Sequence, residues 1–231
     1  MNAKWLQSSM VRRSFLARLG AGAGVVGAAV AGSPAMAQVA ADAPWRPARH
    51  AQDDWLDKIP GVHRYVFDTT TPEGIALAFQ FAGNYFTTNV DAYGLKESDL
   101  AVLIVARHKS TSFGYNNAMW AKYGKQFSEQ SEFTDPKTKE APAINVYTTA
   151  GEGSGQPSRM DVLIKKGVHF AVCQTSTRGI AGRIAKATGG DTESIVKEIG
   201  ANLVENARFV PAGIVAVNRA QEHGYSFVHA I

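Results

Sequence analysis

The order of elements in this sequence predicts an α/β fold, a three-layer sandwich with a mainly parallel sheet of about five strands flanked by helices. Three observations carry that expectation. Leu100-Ala101-Val102-Leu103-Ile104-Val105-Ala106 is a continuous apolar run, too short for a typical helix and typical of a strand buried on both faces. Val168-His169-Phe170-Ala171-Val172-Cys173 reads as another strand, entered through Gly167 and followed by a cluster of hydroxyl residues. Around these two, short strands alternate with segments that open on helix-starting residues and close on glycine, the pattern of strand–helix–strand units.

Residues 1 to 37 stand apart and read as a twin-arginine signal peptide. Lys4, Arg12, Arg13 and Arg18 occur there without any acid, a weakly apolar run follows from 19 to 30, and Ala35-Met36-Ala37 forms a small-residue cleavage site. Arg12-Arg13-Ser14-Phe15-Leu16 is the twin-arginine pattern, and Gly20, Gly22, Gly24 and Gly27 dilute the apolar run. About a dozen apolar residues fall short of the ~20 that a membrane-spanning helix needs, so an anchor helix is the weaker alternative. Gly22-Ala23-Gly24-Val25-Val26-Gly27 also spells a dinucleotide-binding glycine pattern, but that pattern has meaning only between a strand and a helix. The expected destination is the periplasm, with the twin-arginine translocase as partner during export and no stable membrane insertion after cleavage.

Removing the peptide changes the charge argument. The whole chain has 24 Lys and Arg against 20 Asp and Glu, and all of the excess lies before residue 38. A balanced mature chain gives no net-charge footprint for nucleic acid or a membrane surface. Its length suits one domain with one core. The chain has 1 cysteine, Cys173, so no internal disulfide can form.

Residues 38 to 54, with Pro44 and Pro47, lack periodicity and read as a flexible leader, and the α/β domain spans 55 to 231. Residues 63 to 67 form the first strand, and Asp68 with the threonines after it makes a turn. Pro72 and Glu73 open a helix to about residue 86. The strand over 100 to 106 is followed directly by Arg107 and His108, and a helix over about 116 to 123 comes next. Residues 124 to 157 turn polar and rich in Gly, Pro and Lys, the composition of a loop insertion. Its Gly151-Glu152-Gly153-Ser154-Gly155 segment has no strand before it and reads as linker rather than phosphate cradle. A helix around Met160, Val162, Leu163 and Ile164 stops at Gly167, and after the Cys173 strand Thr175, Ser176 and Thr177 offer N-caps for a helix over about 178 to 187. Asp191-Thr192-Glu193-Ser194 starts a helix to about 203, 208 to 210 is a strand, Pro211-Ala212-Gly213 a turn, 214 to 222 a helix, and 225 to 229 the last strand.

In such sheets ligands gather beyond the carboxyl ends of the strands. That rule places Asp68, His108, Cys173 and the turn at Gly213 on one edge. Cys173 ends a strand before a helix whose free N–H groups favour a thiolate, and Arg178 lies in the expected first turn of that helix. Position alone allows two readings: a nucleophile that holds sulfane sulfur as a persulfide, or a small buried hydrophobe. His108 on the same edge is either a proton donor and acceptor or a side chain bonded to a loop carbonyl. Asn117 and Trp120 share one side of the following helix and are candidate ligand contacts, although Trp120 reads first as core. The six histidines show no i, i+4 pair and no Cys/His cluster, so neither a metal site nor a cofactor is expected.

At Gly167-Val168-His169-Phe170-Ala171-Val172-Cys173, followed by Arg178-Gly179-Ile180, the sequence resembles the DsrE/DsrF-like family of small sulfur-handling proteins. Pro211-Ala212-Gly213-Ile214 and Arg219-Ala220-Gln221-Glu222-His223-Gly224-Tyr225 also look like that family, and Arg107-His108 with Met119-Trp120 is similar to its exported, twin-arginine branch. The resemblance covers most of residues 60 to 230. It implies a sulfur carrier with Cys173 as persulfide-forming residue, a sulfane-sulfur donor as partner, and a homo-oligomer. The contrasting expectation is a non-catalytic module that binds a small ligand or a partner and keeps an inert thiol.

Overall fold

The structure is a computed structural model that describes residues 46–148 and 160–231. Signal peptide and cleavage site, the first part of the leader, and the Gly151–Gly155 linker lie outside the described residues. In order, the elements are α1 (Trp55–Lys58), β1 (His63–Thr69), α2 (Pro72–Tyr93), β2 (Leu100–Ala106), α3 (Asn117–Ser131), α4 (Met160–Lys165), β3 (His169–Cys173), α5 (Gln174–Thr188), α6 (Thr192–Gly200), β4 (Ala207–Val210), α7 (Gly213–Glu222) and β5 (Ser226–Ala230). The strands form one five-stranded sheet in the order β4-β3-β2-β1-β5, and every pairing is parallel. The protein is therefore an α/β sandwich.

β2 sits at the centre, and its uninterrupted apolar run reflects burial on both faces. Side chains alternate across a strand. Val102, Ile104 and Ala106 join the larger core with Phe67, Ile75, Phe79, Trp120, Phe127, Phe170, Ile180 and Ile199. Ala101, Leu103 and Val105 join the smaller core with Leu56, Val66, Ala171, Val210, Ala216 and Val217. α2 to α6 thus cover one face, and α7 with the short α1 covers the other. The chain steps from β1 outward to β4 and then returns through α7 to place β5 on the far side of β1, which makes the β1/β5 boundary the switch point of the sheet.

Several boundaries differ from the sequence expectation, each for a packing reason. Asp68 is in β1 and not in a turn, because the ladder with β2 runs on to Thr69 opposite Ala106. α2 continues past residue 86 to Tyr93. α3 runs to Ser131, so the stretch from 124 is not loop throughout: Phe127 is fully buried and stacks edge-on against Trp120 at 5.3 Å. A local break at Tyr123 (φ −126°, ψ 17°) redirects that helix. Beyond it, buried Asn145 donates from Nδ2 to the carbonyls of Phe113 (2.8 Å) and Tyr115 (2.9 Å), which ties the polar segment to the body. α5 begins at Gln174 instead of about 178, and none of the three hydroxyl residues caps it. The leader assignment to 54 also ends early, since Ala51–Asp53 forms a 3-10 turn and Asp53 meets Arg219 at 3.5 Å. Gly167 does stop α4 with a positive φ of 92°.

On the α7 face, at the amino ends of the strands, Arg64 donates to the carbonyls of Leu56 (2.7 Å) and Ile59 (3.1 Å), and Tyr225 Oη donates to Leu56 (2.9 Å). His223 Nδ1 bonds Asp57 at 2.9 Å, and that hydrogen bond holds the Asp57 carboxyl below its ordinary pKa. These contacts clamp α1 beside α7. Among the described residues, no helix is long and apolar enough to cross a membrane.

Candidate functional site

Four side chains, three from strands and one from the residue that follows β2, fall in a row on the α7 face at the carboxyl edge of the sheet. His229 of β5 is in register with Asp68 of β1, and Asp68 with Val105 of β2. Val105 pairs with Ala171 and Ala106 with Val172, so one step further Arg107 and Cys173 stand side by side, both on the face of Val105 and Ala171. The row therefore reads His229, Asp68, Arg107, Cys173.

Asp68 is 2% exposed, a burial that a carboxylate tolerates only when paired. Its partner is Arg107: Nε donates to Oδ1 at 2.7 Å and Nη2 to Oδ2 at 2.8 Å, a bidentate pair. The hydrogen bond with Asp68 is the main cause that raises the Arg107 pKa; burial opposes it, and the charges of Asp68 and then Cys173 add to it. The arginine backbone is fixed as well, since its N–H donates to Ser110 Oγ (3.1 Å), which lies 2.8 Å from Thr69 Oγ1. His229 Nε2 is 3.8 Å from Asp68 Oδ2 and 3.2 Å from Thr70 Oγ1.

Cys173 is 5% exposed and ends β3. Its sulfur is itself the N-cap of α5, accepting the Ser176 N–H at 3.4 Å. Thr177, one turn on, donates to the Cys173 carbonyl at 2.9 Å and shares a 2.8 Å hydroxyl contact with Tyr115. Burial pushes the Tyr115 phenol well above its ordinary pKa, so it stays a neutral hydroxyl there. Gly213 opens α7 against Arg107: a Cβ at that position would lie 2.7 Å from Arg107 Cβ and 3.0 Å from its Cδ.

No family model and no curated protein matches this chain. Among solved structures it is similar to a protein of unknown function from Methanobacterium thermoautotrophicum, with 14% sequence identity over 72% of this chain and 98% of that one, and a TM-score of 0.37.

The structure brings three of the sequence candidates, Asp68, Cys173 and Gly213, together around Arg107. His108 is at the rim, exposed, with φ +56°; its backbone N–H donates to Ser176 Oγ at 3.1 Å, so it is the main chain of His108 that meets the first turn of α5. The other three lie elsewhere. Arg178 is exposed and ion-paired with Glu193 of α6. Asn117 Oδ1 accepts from the Asn145 N–H (2.8 Å) and the Thr148 hydroxyl (3.0 Å), a clamp on the polar segment. Trp120 is fully buried and donates to the Ser112 carbonyl at 3.0 Å. Arg107 and His229 belong to the row although the sequence reading assigned neither. The signal for Arg107 was available, because a buried aspartate at a strand end calls for a cation on the same face of the neighbouring strand. Among the described residues no three His, Cys, Asp or Glu side chains gather as a metal cluster.

Proposed function

We propose that this protein is a sulfur carrier of the DsrE-like kind, exported to the periplasm by the twin-arginine route, which holds sulfane sulfur on Cys173 as a persulfide. The observation that carries the reading is the placement of the thiol: its sulfur accepts a helix N-terminal N–H, and one register step beyond the β2/β3 ladder it stands beside Arg107, whose guanidinium is fixed by Asp68. An N–H donor and a neighbouring cation complement the charge that the attacking sulfur and the resulting persulfide carry in this reaction.

The thiolate attacks the outer sulfur of a donor R–S–SH; a Cys173 S–S bond forms, the donor S–S bond breaks, and the donor leaves as R–S⁻. No net oxidation occurs. With one cysteine in the chain the persulfide cannot be closed into an internal disulfide, so its sulfur passes to an acceptor thiol, and Cys173 returns as thiolate.

Incubation with inorganic polysulfide followed by intact mass measurement is expected to add multiples of 32 Da, one per sulfur atom as about that mass, to the wild type and none to Cys173→Ala. Equal loading of both proteins removes the proposal. A second reading is favoured by the low exposure of Cys173: a ligand-binding module with an inert thiol. It predicts slow alkylation of the native protein together with a melting temperature raised by a small ligand.

A further inference from the structure

Arg107 uses only part of its guanidinium on Asp68. Nε and Nη2 face the carboxylate, and among the described residues Nη1 has no hydrogen-bond partner. A guanidinium is planar and rigid, so fixing one edge fixes the direction of the other. The arginine cannot swing away, because the Ser110 hydroxyl holds its backbone and Gly213 packs against its Cβ and Cδ. Its side chain is still 23% exposed. Of the side chains at the carboxyl edge, residues 68–71, 107–110, 173–176, 211–213 and 229–231, one is an acid, Asp68, and it is committed to Arg107. The other ionisable side chains there, apart from Cys173, are the bases Arg107, His108, Lys109 and His229, of which Lys109 pairs with Glu132. α7 starts over Arg107 without a side-chain cap, so its N-terminal dipole adds the same sign of field.

We infer that Asp68 and Arg107 act as one unit on Cys173, with Asp68 aiming the free edge of the guanidinium, and that the sulfur donor taken here is a small anion bearing a sulfane sulfur. The inference rests on the sulfur-carrier reading and extends it from the thiol to the donor. Thiosulfate serves as the probe. The Cys173 thiolate attacks its sulfane sulfur, the Cys173 S–S bond forms, the bond to the sulfonate sulfur breaks, and the electron pair leaves with sulfite. Three negative charges are present before and after the step. The role of Arg107 is to take up the repulsion between an anionic nucleophile and an anionic donor, and Asp68 is a positioning residue that acts through it.

The test compares Cys173 alkylation by iodoacetate, an anion, with alkylation by neutral iodoacetamide, and runs thiosulfate loading in parallel by intact mass. Proteins are wild type, R107K, R107Q and the double variant Asp68→Asn/Arg107→Gln, with circular dichroism as the check on folding. The double variant keeps a hydrogen-bonded neutral pair and guards against the buried unpaired carboxylate that R107Q alone would leave. The iodoacetate-to-iodoacetamide rate ratio is expected to fall about tenfold in the double variant, at the low end of what focused charge contributes to association with an anion, and by less in R107K. Thiosulfate loading is expected to fall in step. An unchanged ratio in the folded double variant overturns the inference, whether or not sulfur loads. Loading of wild type and double variant at equal rates overturns it while leaving the carrier reading intact. A charge-selective ratio with no sulfur gained from either thiosulfate or polysulfide removes the carrier reading and leaves the role of Arg107 standing. A native thiol that neither reagent reaches removes both.

Discussion

At the scale of single residues, the proposed chemistry of the edge depends on Arg107 being held without being used up. Asp68 supplies the hold through two bonds of 2.7 and 2.8 Å, and Gly213 supplies the space. A methyl group at 213 would meet Arg107 Cβ at 2.7 Å and Val105 Cγ1 at 3.2 Å, and neither atom is the free end of a flexible chain. Gly213→Ala is therefore expected to lower stability by about 1–3 kcal/mol, the usual cost of overpacking, as measured by urea unfolding. The same variant is expected to slow polysulfide loading of Cys173, because the guanidinium must shift to make room. Unaltered stability and unaltered loading would mean that α7 moves away freely and that Gly213 does not shape the site.

At the scale of elements, α3 and the segment after it illustrate how polar composition can hide packed structure. Lys122, Lys125, Gln126, Glu129 and Gln130 make the helix look like loop, yet Met119, Trp120, Tyr123 and Phe127 face the core between them. Asn145 then holds the following segment in place, with Nδ2 shared by the carbonyls of Phe113 and Tyr115 and Oδ1 accepting the Tyr147 N–H at 3.2 Å. Asn145→Ala strands two buried carbonyls, each costing about 1–3 kcal/mol, so a loss of about 3 kcal/mol in unfolding free energy is expected. Asn145→Asp is expected to fare no better, since a carboxylate donates nothing to a carbonyl. Asn117 has a matching role, its Oδ1 accepting from the Asn145 N–H and the Thr148 hydroxyl, which ties its side chain to this scaffold.

At the scale of the whole molecule, the sheet order is what assembles the site. The return of the chain through α7 brings β5 beside β1, and His229 reaches Asp68 only because of that crossover. Among the described residues this face is covered by α7 and α1, and at the carboxyl edge the Arg107 side chain keeps 23% of its surface exposed while Asp68 and Cys173 are buried. The proposed export by the twin-arginine route is tested at this scale too. Replacing Arg12 and Arg13 by lysine is expected to leave the protein in the cytoplasmic fraction with its N-terminal peptide uncleaved, as read by cell fractionation and mass measurement. Efficient processing of that variant would remove the twin-arginine route.

The sequence by itself determined the class of fold and the identity of one edge. Runs such as Leu100–Ala106 and the strand ending at Cys173 are dictated by local burial, and local burial is written in local composition. It also placed Asp68, Cys173 and Gly213 on a common edge, because strand ends in a parallel sheet share a side. Which of the edge residues touch was decided only by the tertiary structure. Arg107 chooses between Asp68 and solvent, Arg178 between Cys173 and Glu193, and Cys173 between capping α5 and packing in the core. Each choice depends on strand order, register and the first turn of a helix, which are set by contacts between residues tens of positions apart and leave no periodic trace in the chain.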